Sequence, residues 1–280
     1  MIGNDKVVQK LIHQLIASTG LDSENEKIPK EVLKSMYDQM QESNLMWQAH
    51  DASLPPVARQ YNKSFEATEN GEYAIFVDID IYEKYLFEKY KGFSISFLGK
   101  SYTMYKELDP FLEIIFNPKY YITENVKELL DISEEEYPVN VRELHQKGIE
   151  TLSIFILKFA TATFAAKFFQ RASSDTYDFF KRKIIDLSNN RKEGASVDSK
   201  IHIMYSYKDN KYSYDIMIQC TPEQLKNFEW DDVSLEALHI VLEKLIGESE
   251  VVKVAVEMEN SQPYWKVLHF VDTEDKVINI

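Results

Sequence analysis

One cysteine, eight glycines and eight prolines in 280 residues leave this chain few covalent or conformational devices, and each scarcity excludes something. Cys220 alone cannot form an intramolecular disulfide or a cysteine-rich zinc site, so nothing in the sequence calls for an oxidising compartment. Basic residues are also short: 32 Lys and Arg against 46 Asp and Glu give a net charge of −14, which repels a phosphate backbone and argues against nucleic acid as the main partner. No glycine-rich phosphate loop, no HExxH and no His/Asp/Glu set at ligand spacing is present, so neither cofactor nor metal is expected. The start, MIGNDKVVQ, has no continuous apolar run of the signal-peptide kind, and a cytoplasmic location is the expectation.

What the chain does have is aromatic and aliphatic mass. Forty-four per cent hydrophobic residues, with 16 Phe and 17 Tyr, are enough for well-filled cores, and the length predicts more than one compact unit. The expected class is α+β: a β-rich N-terminal half flanked by helices, followed by a C-terminal two-layer α/β sandwich.

Over residues 1–46 the apolar spacing is helical. Val8, Leu11, Ile12, Leu15 and Ile16 precede Gly20, and Pro29 stands ahead of Val32, Leu33, Met36, Tyr37 and Met40, which together predict a helical hairpin packed on its own chain or on a partner. Period-two alternation then predicts a β-rich unit over 47–122, with EYAIFVDIDIY and GFSISF as strands. Residues 123–187 are expected to form a helical connector. Its run TLSIFILKFATATFAAKFF at 151–169 approaches membrane length, but Lys158 and Lys167 would be costly at mid-bilayer. A buried helix is therefore expected rather than a span, acting as a hinge or, through Ala160, Ala162, Ala165 and Ala166, as an oligomer seam.

A polar linker follows at 188–199, and 200–280 is expected to be a separate α/β domain. IHIMYSY and KYSYDIMIQC read as a hairpin about Lys208, Asp209 and Asn210, although the favoured Asn-Gly is missing. SLEALHIVLEKLIG reads as a helix with Ser234 and Gly247 at its ends, ahead of two further strands. His202, His239 and His269 occur singly and read as packing residues. Tyr61, Tyr73, Tyr82 and Asp80 are candidates for lining a small-ligand pocket, without a spacing that singles them out.

Chemistry is suggested by three strings in order: His50-Asp51, GFSISF with Ser94, and LEIIFNP with Glu113. A serine hydroxyl becomes a nucleophile when an imidazole takes its proton and a third group orients that imidazole. The succession HDASLPPVARQ, EYAIFVDIDI, KGFSISF, LEIIFNPKYY resembles the prohead proteases of tailed phages, relatives of the herpesvirus assemblins that mature capsids by cutting scaffold. The resemblance covers about residues 47–122 and implies Ser94 as nucleophile, His50 as general base and Glu113 as third member of the triad. Ser96 stands where the family's serine strand carries a glycine, which bears on the backbone freedom around an oxyanion. Two functions are thus expected: a serine endopeptidase, active or degenerate, or a non-catalytic interaction and self-assembly protein in a phage or bacterial defence setting. Either way the partner is a protein, as substrate or as binding partner, and a homo-oligomer fits both.

Overall fold

A computed structural model describes residues 7–21, 27–41, 44–46, 55–82, 84–89, 95–103, 112–132, 138–147, 152–161, 165, 182–187, 189, 198–209, 211–227, 232–247, 250–260, 265–274 and 277–279. The fold is α+β and mostly β, with its described strands in two sheets.

The smaller sheet has the order β1-β4-β3-β2, from β1 (Gln9–Ser18), β2 (Leu45–Met46), β3 (Ala58–Ala67) and β4 (Tyr73–Ile81). Alternation along β4 sends Ile75, Val77, Ile79 and Ile81 to one face. There they meet Leu33 and Met36 of α1 (Lys30–Met40), the helix that follows Pro29. The first half of the expected hairpin is a strand instead. Its i, i+3, i+4 spacing is that of a helix, but β1 pairs with β4 and slips register between Leu11 and Gln14 and again between Leu15 and Ala17. Each extra residue shifts the alternation by one position. Leu11, Ile16 and Ala17 thereby pack towards α1, while Val8, Ile12 and Leu15 stay exposed.

The larger sheet has nine strands in the order β13-β12-β11-β10-β9-β8-β6-β7-β5. These are β5 (Ile95–Thr103), β6 (Leu112–Phe116), β7 (Val139–Lys147), β8 (Leu152–Phe159), β9 (Asp198–Lys208), β10 (Ser213–Cys220), β11 (Val251–Met258), β12 (Trp265–Asp272) and β13 (Val277–Asn279). The segment 47–122 therefore contributes to both sheets. β8 occupies the place of the expected buried helix: LSIFILKF lies between β6 and β9, and a strand enclosed on both sides reads as an unbroken apolar run. Ala165 is helical and buried, whereas Ala162 and Ala166, Lys167 and most of the expected linker lie outside the described residues.

Register carries one apolar face across the sheet through Val141, Ile114, Leu157, Ile203, Ile218 and Val256. Onto that core pack Val126 of α3 (Thr123–Lys127), Leu129 of the 3-10 turn that follows, Leu225 of α4 (Pro222–Asn227), and Leu238 and Leu242 of α5 (Asp232–Ile246). A short α2 (Lys84–Lys89) precedes β5. α5 starts two residues before Ser234 and ends at Gly247, whose φ of +61° is the left-handed turn-off that glycine adopts without steric cost. No helix among the described residues is long and apolar enough to cross a membrane.

Candidate functional site

His50 and Ser94 lie outside the described residues, as does Asp51. Glu113 is on β6, on the face opposite α5. Its Oε1 accepts a hydrogen bond from Asn140 Nδ2 at 3.2 Å and faces Arg142 Nη1 at 3.2 Å, while Ser101 Oγ donates to Asn140 Oδ1 at 2.7 Å. Register sets Glu113 beside Asn140 at the start of β7, and sets Ile95, the residue after Ser94, beside Lys147 at its end. Seven residues of strand separate the two positions, roughly 23 Å at the rise of an extended chain. The described structure thus holds Glu113 in an ion pair within its sheet and does not bring it to the start of β5.

A second polar centre lies on the smaller sheet, on the face away from α1. Asp78 Oδ1 accepts from the backbone N–H of His13 and Oδ2 from Asn62 Nδ2, both at 2.8 Å. These two donors lie in the register breaks of β1 and β3, and they are the non-glycine residues with positive φ among those described, +52° and +46°. The two bonds hold the Asp78 carboxyl below its usual range. Asp80, one pleat along, is buried. It faces Lys10 Nζ at 3.7 Å and Arg59 Nη2 at 3.5 Å, and accepts from the Tyr61 hydroxyl at 3.2 Å. Burial and this carboxylate together raise the Tyr61 pKa. Of the aromatic candidates named with Asp80, Tyr61 meets it, whereas Tyr73 packs with Phe65 and lies under the Lys30 ammonium at 3.6 Å. The His13 ring stacks on Phe76 with centroids 4.1 Å apart.

The third centre went unmarked in the sequence and lies under α5. Tyr205, Tyr207, Tyr212 and Tyr214 stand two apart on either side of the β9-β10 turn, which is the period that sends alternate residues to one face. Asp209 makes the turn in place of Asn-Gly by accepting from the N–H groups of Lys211 and Tyr212 at 2.7 and 2.6 Å. Those bonds lower its pKa. The Tyr207 hydroxyl donates to Glu243 at 2.8 Å, and its ring lies 4.1 Å from the His239 imidazole, which also meets the Tyr205 hydroxyl at 3.3 Å. Burial pushes His239 down to about 4 and the Tyr205, Tyr207 and Tyr214 phenols up, so all four are neutral near pH 7. Beside this row opens a cleft of about 290 Å³. Tyr212, Tyr214, Ile246, Val251 and Val252 form its apolar lining, with Lys211, Glu250 and Thr273 as its charged and polar members. The period-two tyrosines were the readable signal; the cleft depends on where α5 ends. Compared with known proteins, the chain matches no family profile, no curated protein and no solved structure.

Proposed function

We propose that this chain is a non-catalytic interaction protein that self-associates through β1. The observation that carries this reading is the exposure of large apolar side chains at β1, the edge strand of the smaller sheet among the described residues: Ile12 at 61% and Leu15 at 54% on the strand, and Val8 at 51% just before it. Edge strands present unpaired backbone donors and acceptors, and apolar side chains beside them favour pairing with another chain. Alternation together with the break between Leu11 and Gln14 favours Ile12 and Leu15 on one face. That arrangement suits a two-fold partner: an antiparallel mate with its Leu15 against Ile12 repeats the same contact at the symmetry-related position. Fully burying such side chains contributes about 1.5 to 3 kcal/mol each, and these are half buried already, while association itself costs about 4 kcal/mol or more. A weak dimer, with a Kd in the high-micromolar to millimolar range, is therefore expected. The charge of −14 on each copy opposes it, so added salt should strengthen it.

Sedimentation velocity across a concentration series tests this, with Ile12→Glu and Leu15→Glu as folded controls. Concentration-dependent dimerisation that salt promotes and both substitutions abolish is the expected result; a monomer under all conditions sinks the reading. Fluorophosphonate labelling in parallel addresses the competing serine endopeptidase reading. Labelling that Ser94→Ala and His50→Ala each remove would establish that reading in its place.

A further inference from the structure

One side of α5 is core and the other faces solvent. Leu235, Leu238, Leu242 and Ile246 recur at helical spacing and belong to the buried cluster of the larger sheet. Opposite them stand Glu236, Ile240 and Lys244, four residues apart and therefore on one ridge, all three exposed, with Ala237 exposed beside them. Ile240, at 59% exposure, is a large apolar side chain in the middle of that ridge. A negative charge lies about 6 Å before it along the axis and a positive charge about 6 Å after it. Eight residues put Glu236 and Lys244 about 12 Å apart, too far to pair with each other on the same helix. Glu243 accepts from the Tyr207 hydroxyl on the core side and takes no part in the ridge.

We infer that this ridge pairs with the same ridge of a second copy of the chain, antiparallel about a two-fold axis at Ile240. Such a contact sets residue i against j and j against i. With the axis at Ile240, each position faces the one equally far on the other side, so isoleucine meets isoleucine and each Glu236 meets a Lys244. Parallel pairing would set glutamate against glutamate and lysine against lysine, and a slide of one turn would set a charge against Ile240. The charges thus select direction and register more than they add affinity. Ala237 beside the ridge suits axes about 8 to 10 Å apart. This contact buries one exposed isoleucine per copy, less than the Ile12 and Leu15 of the β1 pairing. It is therefore the weaker of the two, stands independently of the β1 reading, and is detected by covalent trapping rather than in a sedimentation series.

Disulfide trapping of the full chain carrying Ile240→Cys is the direct test, since Cys220 is buried and does not compete. Oxidation with diamide should link two copies faster than it links the collision control Asn227→Cys, at an exposed position on α4. In the Ile240→Cys background, Glu236→Lys and Lys244→Glu should each slow the linkage about fivefold, and the two together should restore it. The single substitutions move the net charge in opposite directions and the pair leaves it at −14, so general repulsion predicts a different order. A rate no greater than that of the control, or one that follows net charge alone, overturns the inference. Ile12→Glu should leave the linkage unchanged; linkage that it abolishes would belong to the β1 dimer and would overturn a separate contact on α5. The comparison of Ile240→Cys with Asn227→Cys decides the matter even if a charge variant fails to fold.

Discussion

His269 on β12 is 1% exposed, and burial holds its imidazole down to about 4, as it does His239 on α5. A folded pKa depressed below the unfolded value of about 6.5 means that the unfolded chain binds protons first. Stability from these groups is intact above pH 6.5 and is lost as the pH falls towards 4. For His269 the full loss amounts to about 3 kcal/mol. Urea midpoints measured between pH 7 and 4 should fall accordingly, and His269→Phe should flatten that dependence. A profile unchanged by the substitution would mean that this imidazole is not the group titrating. The sequence reads both histidines as packing residues, because each stands singly on a strand or helix and a lone imidazole there is more often packed than a ligand. The resemblance implies Glu113 as third member of a triad, whereas its pairing with Arg142 and Asn140 arises from register on β7, a strand 26 residues or more away in the chain.

At the scale of elements, the smaller sheet depends on two register breaks that face each other across β4. His13 and Asn62 adopt left-handed backbone there, a conformation that costs energy for a residue with a Cβ. Asp78 between them accepts from both and offsets that cost. Asp78→Ala should lower the melting temperature, and adding His13→Gly should restore part of the loss, because glycine needs no carboxylate to hold positive φ. Thermal unfolding of the single and double variants gives the coupling directly; strictly additive effects would sever Asp78 from the bulge. The same breaks explain why the segment of β1 has a helical apolar spacing. Apolar residues at 8, 11, 12, 15 and 16 fit one face of a helix, and they equally fit a strand whose alternation slips twice. Only β4, paired alongside, decides between them. In β9 and β10 no such ambiguity arises, since the period is unbroken and Asp209 supplies the turn.

At the scale of the whole molecule, the expected boundary before residue 200 runs along a hydrogen-bonded ladder. β8 and β9 pair in parallel from Leu152 with Asp198 to Phe159 with Tyr205, and Phe155, Leu157, Ile201 and Ile203 belong to one buried cluster. A fragment of residues 200–280 would expose the β8 side of β9 as a long apolar edge. It should therefore aggregate or fail to give dispersed amide resonances, whereas the full chain unfolds with β6, β8, β9 and β10 together in hydrogen exchange. A soluble, well-dispersed fragment would show that the C-terminal half stands alone.

Composition and period by themselves determined the α+β class, the helices α1 and α5, the β9-β10 hairpin and the strands β4, β11 and β12, because burial on one face imposes a repeat that neighbouring residues carry. Tertiary structure alone decided that β1 and β8 are strands, that a nine-stranded sheet unites the middle and end of the chain, and that Asp78, Glu113 and the cleft under α5 have their present partners. Those outcomes depend on which strand lies alongside, and pairing between distant segments leaves no local period to read.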